Sequence, residues 1–292
     1  MVAVIAVFGP TASGKTAVAE AIADRLGTGV VSCDALQVYR GLPILTNQPS
    51  RPTALVGICD IDEEMSVGAY ATLAHAAIDE LVVRSGAAVV SGGTGLYLRA
   101  ALADLAVPPP PAAGVRERIR AEVEHDPSAA HERLAGLDPR AAAAVHLNDQ
   151  RRLVRALELA ETGASLVPAD DRLWASATRH PTLIAGLDVP SDDLERRIVA
   201  RTDAMFEQGV VTEVREALNA GVSHTAAKAL GLHEIATLPE PEARERIIIR
   251  TRRYAAYQRK WMRRITGLVS VDGTLTPEEV ADAILEVARA RQ

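Results

Sequence analysis

The chain has 292 residues, 48% hydrophobic and 24% charged, with a formal net charge of −6. That is enough apolar material for a sizeable core and predicts one large domain, or one domain carrying an insertion. Cys33 and Cys59 are the only cysteines; they give no sign of a disulfide framework and no Cys-x-x-Cys zinc pattern, which suits a reducing cytoplasm.

The chain opens on the apolar run Val2-Ala3-Val4-Ile5-Ala6-Val7-Phe8. It has no basic flank and stops after seven residues, so neither a signal peptide nor a membrane span is expected there. A buried strand is predicted, followed by Gly9-Pro10-Thr11-Ala12-Ser13-Gly14-Lys15-Thr16 and a helix over 17–26. The octapeptide fits G-x-x-x-x-G-K-[ST] at every fixed position, and its flanks are those a phosphate-binding loop needs. Backbone N–H groups at Gly9, Thr11, Ala12, Ser13 and Gly14 would cradle a di- or triphosphate. Lys15 would add a full charge and Thr16 a hydroxyl for Mg²⁺.

A second apolar run, Val30-Val31-Ser32-Cys33, ends on Asp34 and continues into Ala35-Leu36-Gln37-Val38-Tyr39-Arg40-Gly41. Carboxyl ends of parallel strands converge on one crevice, so Asp34 is expected to face the phosphate ligand, with a helix cap or a turn aspartate as the alternative. A third strand at 87–90 runs into Ser91-Gly92-Gly93-Thr94-Gly95. A phosphoryl-transferring P-loop enzyme would offer an aspartate there to help hold Mg²⁺. The glycines instead let backbone approach a ligand and leave the Thr94 hydroxyl at the mouth, unless Thr94 is simply buried in a glycine turn.

Val107-Pro108-Pro109-Pro110-Pro111 reads as a stiff boundary, followed by short helices at 115–123 and 129–134. A helix over 149–162 is expected to return to the core, with a cap at Asn148 as one structural reading of the residues before it. A strand at 183–187 and long helices at 194–218 and 244–266 complete the pattern. The last helix carries a basic run with no acid, Arg250 to Arg264, in which Tyr254, Tyr257 and Trp261 are interleaved. A second basic cluster is Arg151, Arg152 and Arg155. Despite the negative net charge, such faces suit a folded RNA loop with splayed bases, though a charge run also serves as a solvated face.

Taken in order, these segments resemble the tRNA dimethylallyltransferases, also called tRNA isopentenyltransferases. The matching stretches are Gly9 to Thr16, Asp34 to Gly41, Gly92 to Tyr97, Asp138-Pro139, His146 to Arg152, Arg155 to Glu158, Arg197 to Met205, and Thr251 to Ala255 with Gln258 and Trp261. The resemblance implies an α/β fold: a P-loop nucleotide-triphosphate-hydrolase-like parallel sheet with flanking helices and a small helical insertion domain. The core would be 1–108 and 148–292, and the insertion 109–147. It implies transfer of a dimethylallyl group from dimethylallyl diphosphate to the exocyclic amine of the adenosine beside the tRNA anticodon, with diphosphate as leaving group and Mg²⁺ as cofactor.

By the same resemblance Asp34 is the base, Thr94 orients the reacting region, and Arg201, ahead of Arg197, meets the diphosphate from the far side. Asp34, Ala35, Leu36, Gln37, Gln150, Arg151, Arg152, Arg155, Arg252, Arg253 and Arg259 would contact the anticodon arm of tRNA. A monomer without membrane attachment is expected.

The chain departs from the family pattern in three places. Leu45-Thr46-Asn47-Gln48-Pro49 stands where Gly-Thr-Ala-Lys-Pro is usual, a pair of histidines is absent around 54–60, and Ala229 to Glu234 replaces an Ile-Gly-Tyr block. Two other functions remain open at this point. One is prenylation of free adenine nucleotides, which would need neither the basic run nor the insertion. The other is a P-loop kinase or nucleotide-dependent RNA-binding protein, against which the missing strand-end aspartate weighs.

Overall fold

A computed structural model describes residues 2–105, 111–112, 114–167, 173 and 175–291. In chain order β1 (Val4–Phe8) leads through the glycine loop to α1 (Lys15–Leu26), then β2 (Val30–Ser32), α2 (Val67–Ser85), β3 (Ala88–Gly92) and α3 (Gly95–Leu102). Next come α4 (Val115–His125), α5 (Pro127–Leu137), α6 (Pro139–Ala144) and α7 (Gln150–Glu161). The chain then runs through β4 (Thr182–Asp188), α8 (Ser191–Glu207), α9 (Val210–Ala220), α10 (Leu232–Thr237), α11 (Glu240–Met262), β5 (Val269–Asp272) and α12 (Pro277–Ala290). Among the described residues no helix is long and apolar enough to cross a membrane.

The strands form one parallel sheet in the order β2-β3-β1-β4-β5. Alternation along the strands separates two cores. Val4, Ala6 and Phe8 of β1 point into a large cluster with α2, α3, α9 and α11, while Ile5 and Val7 pack with α1 and α12 on the other face. Because every strand runs the same way, the segments after β1, β2 and β3 emerge at one edge: the glycine loop, Asp34, and Gly93-Thr94. That edge is where open α/β sheets bind ligands.

Two compact units divide the chain, 1–105 with 176–292, and 106–175. The helical unit is therefore longer than the expected 109–147. Helix α7, expected to return to the sheet, stays in it, because Leu153, Ala156 and Leu157 bury against Ile119, Val123, Leu134 and Val145. Glu158 of the same helix is buried and accepts from Arg116 Nε at 2.7 Å and Arg155 Nη1 at 2.9 Å. Burial raises its carboxyl, but those bonds hold the net shift below the usual range. Most of the proline run lies outside the described residues.

Three further details differ from the sequence expectations. The single helix at 194–218 is two, since Gly209 adopts φ 92° and starts α9 afresh. Helix α7 is capped by Asp149, whose side chain accepts the Arg152 N–H, and not by Asn148. The edge strand β5 was not anticipated, and its four residues alternate between half-buried and exposed.

Glycine decides how closely α11 approaches the sheet edge. A Cβ at Gly95 would sit 2.1 Å from Trp261 Cε3, and one at Gly93 would sit 2.1 Å from Gln258 Nε2. Gly95→Ala is expected to destabilise the protein by about 2 kcal/mol through overpacking. Urea unfolding should show a lower midpoint at unchanged slope.

Candidate active site

At the carboxyl ends of β1, β2 and β3, under α8 and α11, lies a cleft of about 460 Å³. Its floor is the glycine loop. Ala12 at φ 63° and Gly14 at φ 89° turn the backbone so that successive N–H groups form a concave nest at the start of α1. Lys15 Nζ folds back to donate to the Pro10 carbonyl at 2.7 Å, and the Thr16 side chain faces the same cleft. Ser13 Oγ is buried and has no hydrogen-bond partner among the described residues.

The loop is clasped from above. The Thr11 N–H donates to Gln258 Oε1 at 2.7 Å, and Gln258 Nε2 donates to the Gly93 carbonyl at 2.9 Å. One buried amide of α11 thus ties the turn after β1 to the turn after β3. From α8, Arg201 Nη1 donates to Thr11 Oγ1 at 2.7 Å. Arg197, four residues earlier, instead reaches the carbonyls of Ser13 and Gly273 at 3.4 Å. Arg201, not Arg197, therefore presents its guanidinium to a loop side chain.

The electrostatics of the cleft favour an anion. Burial lowers Lys15 from 10.5 to about 8, with Asp34 opposing the shift and Arg201 adding to it. Burial also lowers Arg201, again opposed by Asp34. Two desolvated cations facing one carboxylate leave excess positive charge that a diphosphate would compensate.

Asp34 leaves β2 as an Asx turn, with Oδ1 accepting the Leu36 N–H at 3.0 Å. Among the described residues Oδ2 has no hydrogen-bond partner. Thr94 caps the start of α3, where its Oγ1 accepts the Ala35 N–H at 3.4 Å and lies 3.5 Å from Tyr254 Oη. Burial raises the Tyr254 phenol, with the nearby Asp34 charge adding to it, so the ring stays neutral and keeps its O–H donor. Met205, Leu230, Ile247 and Leu45 supply an apolar wall. The cleft thus joins an anion cradle to a carboxylate, two hydroxyls and an apolar surface.

A family profile described as "IPP transferase" matches residues 37–265, and one described as "Isopentenyl transferase" matches residues 2–55. The chain belongs to the IPP transferase family. It is 37% identical to the tRNA dimethylallyltransferase of Acidothermus cellulolyticus, with 99% of this chain and 92% of the relative aligned. It is 39% identical to that of Geobacter sulfurreducens, with 89% and 88% aligned. Among solved structures, the tRNA isopentenylpyrophosphate transferase of Bacillus halodurans superposes with a TM-score of 0.70 at 29% identity, covering 99% of this chain and 96% of that one. A eukaryotic dimethylallyltransferase described as acting on tRNA superposes at 0.77 and 25% identity, covering 94% and 74%.

Against the IPP transferase pattern, the departure at 45–49 has a local explanation. Gln48, where the family has lysine, donates through Nε2 to the carbonyls of Tyr39 at 2.8 Å and Gln37 at 3.2 Å. Asn47 takes φ 51°, a conformation its short polar side chain tolerates.

The residues expected to meet RNA are not alike. Arg253 is exposed on α11, and Gln150, Arg151 and Arg152 are exposed on α7. Arg252 is paired with Glu195 at 2.7 Å, and Arg155 is committed to buried Glu158. Arg259 donates to Ser191 Oγ at 2.9 Å and to the Val189 carbonyl, so it fastens the start of α8. Gln37 spends its amide on Ser32, Thr46 and Asn47. Tyr254 and Gln258 were not singled out as site residues. Their signal was spacing: four apart, they share one face of α11, and Gln258 is a buried amide in an arginine-rich helix.

Lys15 supplies a test. Its charge is present below about pH 8 and is lost above it in the ligand-free protein. A bound anion raises the lysine, so binding above pH 8 must take up a proton. The affinity for an organic diphosphate is expected to fall as pH rises through 8, by up to about tenfold per unit. Calorimetry should show that slope flattened in Lys15→Met.

Proposed function

We propose that this protein transfers a dimethylallyl group from dimethylallyl diphosphate to the exocyclic amine of the adenosine 3′-adjacent to the anticodon in tRNA, releasing diphosphate. The observation that carries the reading is Asp34. It is the carboxylate that faces Lys15 and Arg201 across the phosphate cradle, while β3 ends on Ser91-Gly92 with no acid. A base set opposite a leaving-group site fits substitution at carbon better than phosphoryl transfer. Relatives carrying the tRNA dimethylallyltransferase name align over nearly the whole chain.

In this reading the glycine loop, Lys15 and Arg201 hold the diphosphate as a leaving group. The C1–O bond of the allylic ester breaks as the adenine nitrogen bonds to C1, and the amine proton passes to Asp34. The amine is a weak nucleophile because its lone pair is delocalised into the ring, so placement and proton removal carry the catalysis. Thr94, held between the Ala35 amide and Tyr254 Oη, sits beside Asp34 to orient the reacting groups.

Mg²⁺ would be held largely by the substrate's own oxygens. Thr16 offers one hydroxyl in the cleft, and no group of three His, Cys, Asp or Glu gathers among the described residues, so diphosphate and water would supply the remaining oxygens. When bound, the ion offsets the charge that grows on departing diphosphate. Exposed Arg253 and Lys260 on α11, and Arg151 and Arg152 on α7, give both units basic surface for RNA phosphates. A cytoplasmic setting suits such a substrate.

The test is incubation with dimethylallyl diphosphate, Mg²⁺ and either unmodified tRNA or AMP, followed by mass analysis of nucleosides. A dimethylallyl gain confined to tRNA adenosine is expected; gain only on AMP would make this a free-nucleotide prenyltransferase. Asp34→Asn should slow single-turnover transfer about a hundredfold or more, because an amide cannot take the proton. Diphosphate binding should persist, and an unchanged rate would contradict the assignment.

A further inference from the structure

Glu213 lies on α9, and its side chain is buried with no cationic partner among the described residues. Its oxygens accept the backbone N–H groups of Ile44 at 2.7 Å and Leu45 at 2.8 Å. These two donors open a tight turn in which the N–H groups of Thr46, Asn47 and Gln48 return to the carbonyls of Leu42, Ile44 and Pro43. The carboxylate therefore caps this turn from another element, as a cap residue does for a helix start. Burial raises the Glu213 carboxyl, and the two amides oppose that shift.

The turn is connected to the backbone of Asp34. The carbonyls of Asn47 and Thr46 accept from Gln37 Nε2 at 2.9 and 3.4 Å. Gln37 Oε1 accepts the Ser32 hydroxyl at 2.8 Å, and Ser32 Oγ in turn accepts the Asp34 N–H at 3.3 Å. Leu45, which carries the second Glu213-bonded amide, forms part of the apolar wall and would meet a Cβ on Gly231 at 3.0 Å. Every link from α9 to Asp34 is a hydrogen bond between named atoms.

We infer that Glu213 is a positioning residue for the transfer reaction: by capping the 42–48 turn it fixes Gln37 and Ser32, and through them the backbone that aims Asp34. This rests on the role proposed for Asp34. The diphosphate cradle is held separately, by Gln258 and Arg201. Loss of Glu213 should consequently lower the rate of transfer without loosening the diphosphate, whereas a merely structural residue would affect both through folding.

The test is Glu213→Gln in the full chain, whose amide nitrogen would face a backbone N–H in place of an acceptor. Two readouts are needed. Hydrogen exchange is expected to quicken at Ile44 and Leu45 and also in the 34–36 segment. Single-turnover transfer should slow about tenfold to a hundredfold, with the dissociation constant for dimethylallyl diphosphate within about twofold.

Gln37→Met, which cuts the path without disturbing the buried carboxylate, should reproduce both effects, and the double variant should be no slower than the slower single. If Glu213→Gln fails to fold, Gln37→Met decides by the same readouts. Faster exchange confined to 44–45 in Glu213→Gln, absence of faster exchange at 34–36 in Gln37→Met, or additive losses in the double variant would overturn the inference. A parent protein that transfers no dimethylallyl group to tRNA would instead contradict the proposed function, leaving exchange at 34–36 to judge the coupling alone.

Discussion

The amide of Gln258 holds the site together. It joins the N–H of Thr11 to the carbonyl of Gly93, and so locks the turns after β1 and β3 to a helix that arrives late in the chain. That contact needs a close approach, and Gly93 and Gly95 permit it because any Cβ there would collide with Gln258 or Trp261. The phosphate loop is thus shaped before ligand arrives. Groups fixed in advance need no reorganisation when charge moves, which is the largest single advantage a polar site has over water.

The electrostatic consequence follows from the same enclosure. Lys15 and Arg201 are both lowered by burial, and Asp34 compensates only part of their charge. The folded protein bears the cost of two desolvated cations, which the diphosphate of the proposed reaction would offset. Such stored cost is expected at a binding site, where local destabilisation is exchanged for affinity. In the proposed reaction the diphosphate would take the cationic floor, leaving Asp34 for the group that approaches from the other side.

Local motifs made the strand-end residues legible. The loop 9–16, Asp34 and Gly92 to Thr94 could be placed from sequence because a parallel sheet brings successive strand ends to one edge, and β1, β2 and β3 do so. Less could be read where the deciding contact is distant. Gln258 and Glu213 lie more than 160 residues from their partners, and their roles depend on helix packing that periodicity alone does not specify. Gly209 broke a helix whose apolar spacing continues across it. The end of the insertion was misjudged because α7 is amphipathic: its apolar face could equally have covered the sheet, and only the cluster around Leu134 and Leu157 shows which core it joins.

In the proposed reaction the phosphate loop binds a leaving group and no phosphoryl group moves. The most direct test is dimethylallyl diphosphate carrying ¹⁸O at the oxygen that bridges C1 and phosphorus, turned over with tRNA and the products weighed. Cleavage of the C1–O bond predicts that all of the label leaves in diphosphate and that none is found in the nucleoside or in dimethylallyl alcohol. Label retained on the organic fragment would mean that a P–O bond breaks, and would contradict the account.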